Sequence, residues 1–155
     1  GEEFLHFSGA LYGLSPSLRT KRIAELLPIF ALQGIEKEYF ESYSRGNKQK
    51  FSILAALAHE PKLLLIDEPI VGLDPESAAI ARAQFVEFAQ KGGAVLLVTH
   101  TLSVAEDIAT TIGLLRDGKL LSVGTLSELR VKAKRGDAAT LDEVYRALTS
   151  HEYKV

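Results

Sequence analysis

An α/β fold built on parallel strands is predicted by three observations. Leu63-Leu64-Leu65-Ile66-Asp67-Glu68-Pro69 is an apolar run of strand length that ends at once in two carboxylates and a proline. Such a run reads as a buried parallel strand, covered on both faces and therefore not alternating. Two further apolar runs, Ala94 to Val98 and Ile112 to Leu115, follow with room for a helix before each. Strand, helix, strand, helix, strand at these lengths predicts two βαβ crossovers, both right-handed. Helical periodicity fills the chain ahead of the first strand, which predicts a helical packing subdomain.

Residues 4–32 carry that periodicity. Phe4, Leu5, Phe7, Leu11 and Tyr12 fall on one helical stripe, and Gly13 ends the first helix. Ser15-Pro16 opens a second, with serine as cap and proline at the first helical position. Ile23, Leu26, Leu27 and Phe30 form its apolar side, Pro28 is a candidate kink and Gly34 its end. His6 is assigned to the surface and to no chemistry. After Tyr43-Ser44-Arg45-Gly46-Asn47-Lys48 comes a strongly apolar helix running to His59. Ser44 is a good cap, and a helix start with nearby Arg45 and Lys48 is a ready anion site. The same stretch also fits an ordinary capped helix with a basic first turn.

Glu60-Pro61-Lys62 turns the chain into the acidic strand, and Ile70-Val71-Gly72-Leu73-Asp74-Pro75 is the loop that leaves it. A helix over 76–90 is expected to turn Ala79, Ile80, Ala83, Phe85, Val86 and Phe88 mostly inward. Gly92-Gly93 stops it, the second strand ends in Thr99-His100, and 101–109 reads as a short helix. Asp117-Gly118 marks a hairpin between the third strand and its return over 119–123. Ser127-Glu128-Leu129 starts another helix. Arg130, Lys132, Lys134 and Arg135 read as a solvated basic face. Leu141, Val144, Tyr145 and Leu148 give a closing helix, after which the last residues are expected to fray.

The two acids carry the chemistry. At the carboxyl edge of a parallel sheet, where open α/β folds place ligands, adjacent carboxylates suit a magnesium–nucleotide site. Asp67 is the candidate metal ligand, directly or through water. Glu68 is the candidate base that orients and deprotonates an attacking water. A buried strand capped by two solvated acids is the plainer alternative.

Composition narrows the classes. The 155 residues are 46% hydrophobic and 25% charged with a net charge of −2, which exerts no global pull on nucleic acid or anionic membrane. There is no cysteine, so disulfides and thiolate metal sites are excluded. No apolar run approaches the ~20 residues that span a bilayer. Gly1-Glu2-Glu3 does not begin a signal peptide, and with no methionine present the chain reads as processed or as a piece of something longer.

In order and spacing these pieces resemble the nucleotide-binding domain of ATP-binding cassette (ABC) transporters, from about Gly1 to Gly124. Tyr43-Ser44-Arg45-Gly46-Asn47 is similar to the family's signature Leu-Ser-Gly-Gly-Gln, and Leu63 to Asp67 to its Walker B strand, with Glu68 as the catalytic glutamate. Gly72-Leu73-Asp74 resembles the D-loop, and His100 matches the switch histidine. The resemblance implies a partial P-loop NTPase (RecA-like) core with an α-helical subdomain. Residues 1–60 would be the helical subdomain with the signature helix, 61–124 the C-terminal half of the core, and 125–155 a helical tail.

It further implies that two domains pair head to tail with ATP and Mg2+ between them. Ser44, Arg45, Gly46 and Asn47 would lie at the γ-phosphate of the partner's nucleotide, and Asp67 at the metal. Glu68 and His100 would do the chemistry, and Asp74 would link the two sites. Arg45 in place of glycine either adds to phosphate binding or crowds the site, and Asn47 is a shorter amide than glutamine. A transmembrane transporter subunit would be the further partner, and the location the cytoplasmic face of a membrane.

No Gly-x-x-x-x-Gly-Lys-Ser/Thr occurs in these 155 residues. That loop supplies the backbone N–H cradle, the phosphate lysine and a magnesium-binding hydroxyl. The chain is therefore expected to be the C-terminal portion of a longer domain, inactive alone and prone to self-association through an exposed strand edge. Two other readings stand beside this one. A cassette ATPase of DNA repair or translation is disfavoured by the modest charge and the lack of coiled-coil heptads or a basic patch. A non-enzymatic module keeping only the fold is disfavoured by intact Asp67, Glu68 and His100.

Overall fold

Helix α1 (Glu2–Leu11) starts the chain and α2 (Pro16–Leu26) follows it, capped as the sequence indicates by Ser15, whose hydroxyl accepts from the Leu18 N–H at 3.3 Å. A computed structural model describes residues 1–150; the expected fraying of the last residues, 151–155, lies outside them. Pro28 ends α2 rather than bending it: the next four residues, Leu27–Phe30, tighten into a 3-10 turn that closes at Ala31 with a φ of 51°. Of the stripe foreseen on α1, only Leu5 is fully buried, while Phe7, Leu11 and Tyr12 stand exposed. The buried line instead runs Gly1, Leu5, Gly9, one residue per turn. Small residues there allow close approach: a Cβ on Gly9 would stand 3.0 Å from the Arg19 side chain.

Helix α3 (Arg45–Ala58) is the spine of this first unit, Gly1–Val98. Phe51, Ile53, Leu54, Ala55 and Ala58 are buried along it. Phe51 stacks on Tyr43 with ring centroids 4.9 Å apart, and a Cβ on Gly1 would lie 2.5 Å from both Phe51 Cζ and Tyr43 Oη. Strand β1 (Leu63–Asp67) pairs in parallel with β2 (Ala94–Val98) through α4 (Pro75–Gln90), the first βαβ crossover.

Two expectations about this sheet fail. β1 alternates: Leu64 is buried, whereas Leu63 and Leu65 are exposed, as are Leu96 and Val98 on the same face of β2. The crossover helix of one βαβ unit covers one face only, so an all-apolar sequence here still has two unlike sides. On α4 the buried residues are Ser77, Ala78, Ala81 and Phe85, while Ala79 and Ala83 face outward. An alanine-rich helix carries too little contrast to fix its phase from sequence.

The second unit, Thr99–Val155, starts with α5 (Leu102–Ile108). Strand β3 (Ile112–Arg116) does not close a second parallel crossover; it pairs antiparallel with β4 (Lys119–Gly124) in a sheet of its own. Asp117 and Gly118 both have positive φ, 50° and 72°, the turn whose twist matches a hairpin. Thr125 and Glu128 form a reciprocal capping box on α6 (Leu126–Lys132), and α7 (Leu141–Ser150) follows. Ile112, Leu114, Leu129, Leu141 and Val144 form the core. The basic stretch is not wholly solvated. Arg130 donates from Nε to the Ala139 carbonyl at 2.7 Å and lies 3.6 Å from Glu106, which itself accepts from the Leu141 N–H. Among the described residues no helix is long and apolar enough to cross a membrane.

Candidate functional site

The site begins at the start of α3. Ser44 has extended backbone, and its hydroxyl accepts from the Asn47 N–H at 3.2 Å while its carbonyl accepts from the Lys48 N–H at 3.0 Å. The cap thus uses two of the first-turn donors, and helix geometry leaves the Arg45 and Gly46 N–H groups at the positive end of the dipole. Lys48 does not add its charge to this mouth as expected, because its Nζ turns back to the Glu41 carbonyl at 3.2 Å. Arg45 is exposed, and its stem lies along the loop after β1: a Cβ on Gly72 would meet Arg45 Cδ and Nε at 3.4 Å. Gly46 comes equally close, for a Cβ there would stand 3.0 Å from the Gly72 carbonyl oxygen. A side chain at Gly46 would press on the loop backbone at Gly72.

Asp67 closes β1 opposite Val98 and is exposed. Glu68 follows in the left-handed region with φ 48°, and its N–H donates to the Val98 carbonyl at 2.9 Å. That bond ties the turn at the end of β1 to the end of β2. Pro69 is buried, and the loop then folds on itself through Val71 N–H to Glu68 O at 3.3 Å and Leu73 N–H to Ile70 O at 3.2 Å. Gly72, with φ 87°, supplies the positive φ in between.

Asp74 ends the loop as the N-cap of α4, accepting from the Ser77 N–H at 2.8 Å and the Ser77 hydroxyl at 2.7 Å. Those two hydrogen bonds, with the Lys50 ammonium 3.5 Å away adding to them, hold its carboxyl down at about 2. The capping role was missed in the sequence. Its signal was there: aspartate, then proline at the first helical position, then a serine three residues on. Gln49 and Lys50 were missed too. Gln49 Nε2 donates to the Pro69 carbonyl at 3.1 Å, and Lys50 reaches Asp74. No local pattern announces contacts of this sequence separation.

The first unit therefore brings Arg45 and Gly46 onto the loop that Asp67 and Glu68 open and Asp74 closes, with Ser44 and Asn47 beside them in the same helical turn. His100 belongs to the second unit, exposed, two residues beyond β2 and just ahead of the turn in which Thr101 N–H donates to Thr99 Oγ1 at 3.0 Å. Among the described residues no three His, Cys, Asp or Glu side chains gather as a metal cage. A single exposed carboxylate, Asp67, still fits magnesium, which takes most of its oxygens from phosphate and water.

A family model described as "AAA domain, putative AbiEii toxin, Type IV TA system" matches residues 12–106. The chain is 40% identical over 151 residues to the ABC-type transporter ATP-binding protein EcsA of Bacillus subtilis strain 168, covering 97% of this chain and 60% of that one. It is 36% identical over 133 residues to the doxorubicin resistance ATP-binding protein DrrA of Mycobacterium tuberculosis H37Rv, covering 86% of this chain and 40% of the relative. A solved structure titled as the ATP-binding subunit of an ABC transporter superposes with a TM-score of 0.89 at 36% identity, over 96% of this chain and 61% of its own. The chain thus spans at most about three-fifths of these relatives. The α/β fold is a partial P-loop NTPase core with parallel strands and a helical subdomain. With the family model matched over residues 12–106, the chain belongs to that AAA-domain family, and its relatives are the ATP-binding proteins of ABC transporters.

Proposed function

We propose that this chain is the water-activating and partner-facing portion of the ATP-binding subunit of an ABC transporter. The observation that carries this reading is the packing of the capped α3 N-terminus on the loop between Glu68 and Asp74, which puts an anion-binding turn and a carboxylate base on one scaffold. ATP and Mg2+ bound there would supply the phosphoanhydride bond that is cleaved. Ser44 and the backbone N–H groups of Arg45 and Gly46 would bind phosphate oxygens, using the hydroxyl proton that the cap leaves for donation. Asn47 would add an amide at the rim. Arg45, exposed and leaning on Gly72, extends the positive mouth without filling it. Asp67 would hold the metal, Glu68 would orient the attacking water and take its proton, and His100 would contact the phosphate and the water region. Asp74 would carry the state of one site to its counterpart.

A second nucleotide-binding domain, paired head to tail, and a transmembrane transporter subunit are the partners of this reading, at the cytoplasmic face of a membrane. Nucleic acid is not among them. In this reading 1–60 would be the helical subdomain that carries the signature helix, 61–124 the half of the core that holds the chemistry, and 125–155 a tail. These residues contain no Gly-x-x-x-x-Gly-Lys-Ser/Thr loop, so the purified 155-residue chain is expected to show no ATP turnover. Turnover abolished by Glu68→Gln in that same preparation would refute this. In the full-length ATP-binding protein, Glu68→Gln should slow hydrolysis by about 10²–10⁴, the usual worth of a positioned base. A near-normal rate would remove Glu68 from the mechanism.

A further inference from the structure

We propose that Gln49 and Lys50 are positioning residues that clamp the loop between Glu68 and Asp74 to the first turn of α3, so that the anion-binding turn and the carboxylate base shift as one body; this rests on the reading of the site just given. Gly46, Gln49, Lys50 and Ile53 are spaced i, i+3, i+4 and i+7, which places them on one face of α3. The first three reach the loop, and Ile53 is buried one turn further on. Gly46 sits against the Gly72 carbonyl, Gln49 donates to the Pro69 carbonyl, and Lys50 meets Asp74. The loop is thereby held at its start, its middle and its end.

The lysine is the informative member. Its side chain is 14% exposed, and desolvating an ammonium is unfavourable unless a partner compensates. The partner does not need it for capping, since Ser77 already donates twice to the Asp74 carboxylate. The Lys50–Asp74 contact therefore supplements a cap that Ser77 already completes. What it adds is a tie between two elements, α3 and the start of α4. Gln49 plays the same part at the other end, where Pro69 directly follows the left-handed Glu68. A carboxylate whose backbone is fixed on both sides, by the Val98 carbonyl and by the Pro69 anchor, keeps its aim when the anion-binding turn is loaded.

The experiment compares Lys50→Met, Lys50→Arg, Gln49→Ala and Glu68→Gln in the full-length ATP-binding protein, and follows amide hydrogen exchange of the 155-residue chain. Lys50→Met should lower kcat roughly 10- to 100-fold with KM for ATP little changed, because misplacement by about an ångström costs that much. Lys50→Arg, which keeps the charge, should restore most of the rate. In the exchange experiment the Val71 and Leu73 amides should lose protection in Lys50→Met and Gln49→Ala, with the central amides of α3 and α4 unaffected. A wild-type kcat in Lys50→Met beside an inactive Glu68→Gln overturns the clamp and leaves the site reading standing. A loss of rate that tracks a lower melting temperature and is not recovered by Lys50→Arg also overturns it, since Lys50 would then be structural only. Activity surviving in Glu68→Gln refutes the site reading instead, and the exchange result alone then decides whether the clamp exists.

Discussion

Glu68 holds a backbone conformation that is unfavourable by roughly 1–2 kcal/mol for any residue with a Cβ. Strain of this kind persists where surrounding structure fixes it, and here the Val98 carbonyl does so. Six residues on, Asp74 offers a direct test by pH. Its carboxyl falls from 3.8 to about 2 because Ser77 donates to it from backbone and hydroxyl, with Lys50 assisting. The folded value lies below the unfolded one, so the stability it contributes is complete above about pH 4 and is lost as pH falls through about 2. Asp74→Asn keeps a cap but cannot titrate, so its melting temperature should depend less on pH across that window. Identical slopes for the two proteins would mean the carboxyl is unperturbed. Gly46 is the second residue to probe. Gly46→Ala would drive a methyl into the Gly72 carbonyl, and overpacking against backbone should destabilise the first unit by about 1–3 kcal/mol, read as a shift in the denaturant midpoint.

At the scale of elements, the helix starts were legible because capping is local. Ser15 and Ser44 cap the helices the sequence assigns to them, and the helix expected at Ser127-Glu128-Leu129 starts at Leu126, with Glu128 at its third position in a capping box with Thr125. Ser44→Ala should therefore cost about 1 kcal/mol, and Phe51→Ala, at a fully buried ring stacked on Tyr43, about 3–5 kcal/mol; chemical denaturation measures both. The motifs of the site were legible for the same reason, as short strings with fixed residue types. Long-range partners were not. Nothing in Lys50 itself says it will meet Asp74, and nothing in Lys48 says it will turn to Glu41. The sheet was misread where sequence cannot show what lies opposite. Leu63 and Leu65 are as apolar as Leu64 yet face outward, and β3 chose the neighbour two residues away over a distant parallel strand.

For the molecule as a whole, the exposed row of Leu63, Leu65, Leu96 and Val98 on a two-stranded sheet is an association liability. Sedimentation of the 155-residue chain should show dimers or larger species, and Leu65→Lys with Leu96→Lys should shift them to monomer. A wild-type chain that sediments as a monomer would contradict this. The buried Gly1 has a different reach. A Cβ there would collide with the edge of the Phe51 ring and the Tyr43 hydroxyl, and Tyr43 immediately precedes the serine that caps α3. A methyl at position 1 would act as a wedge, levering the tyrosine outward and loosening the cap some forty residues downstream. A side chain at this glycine would therefore handicap phosphate recognition from a position remote in sequence from the cap itself.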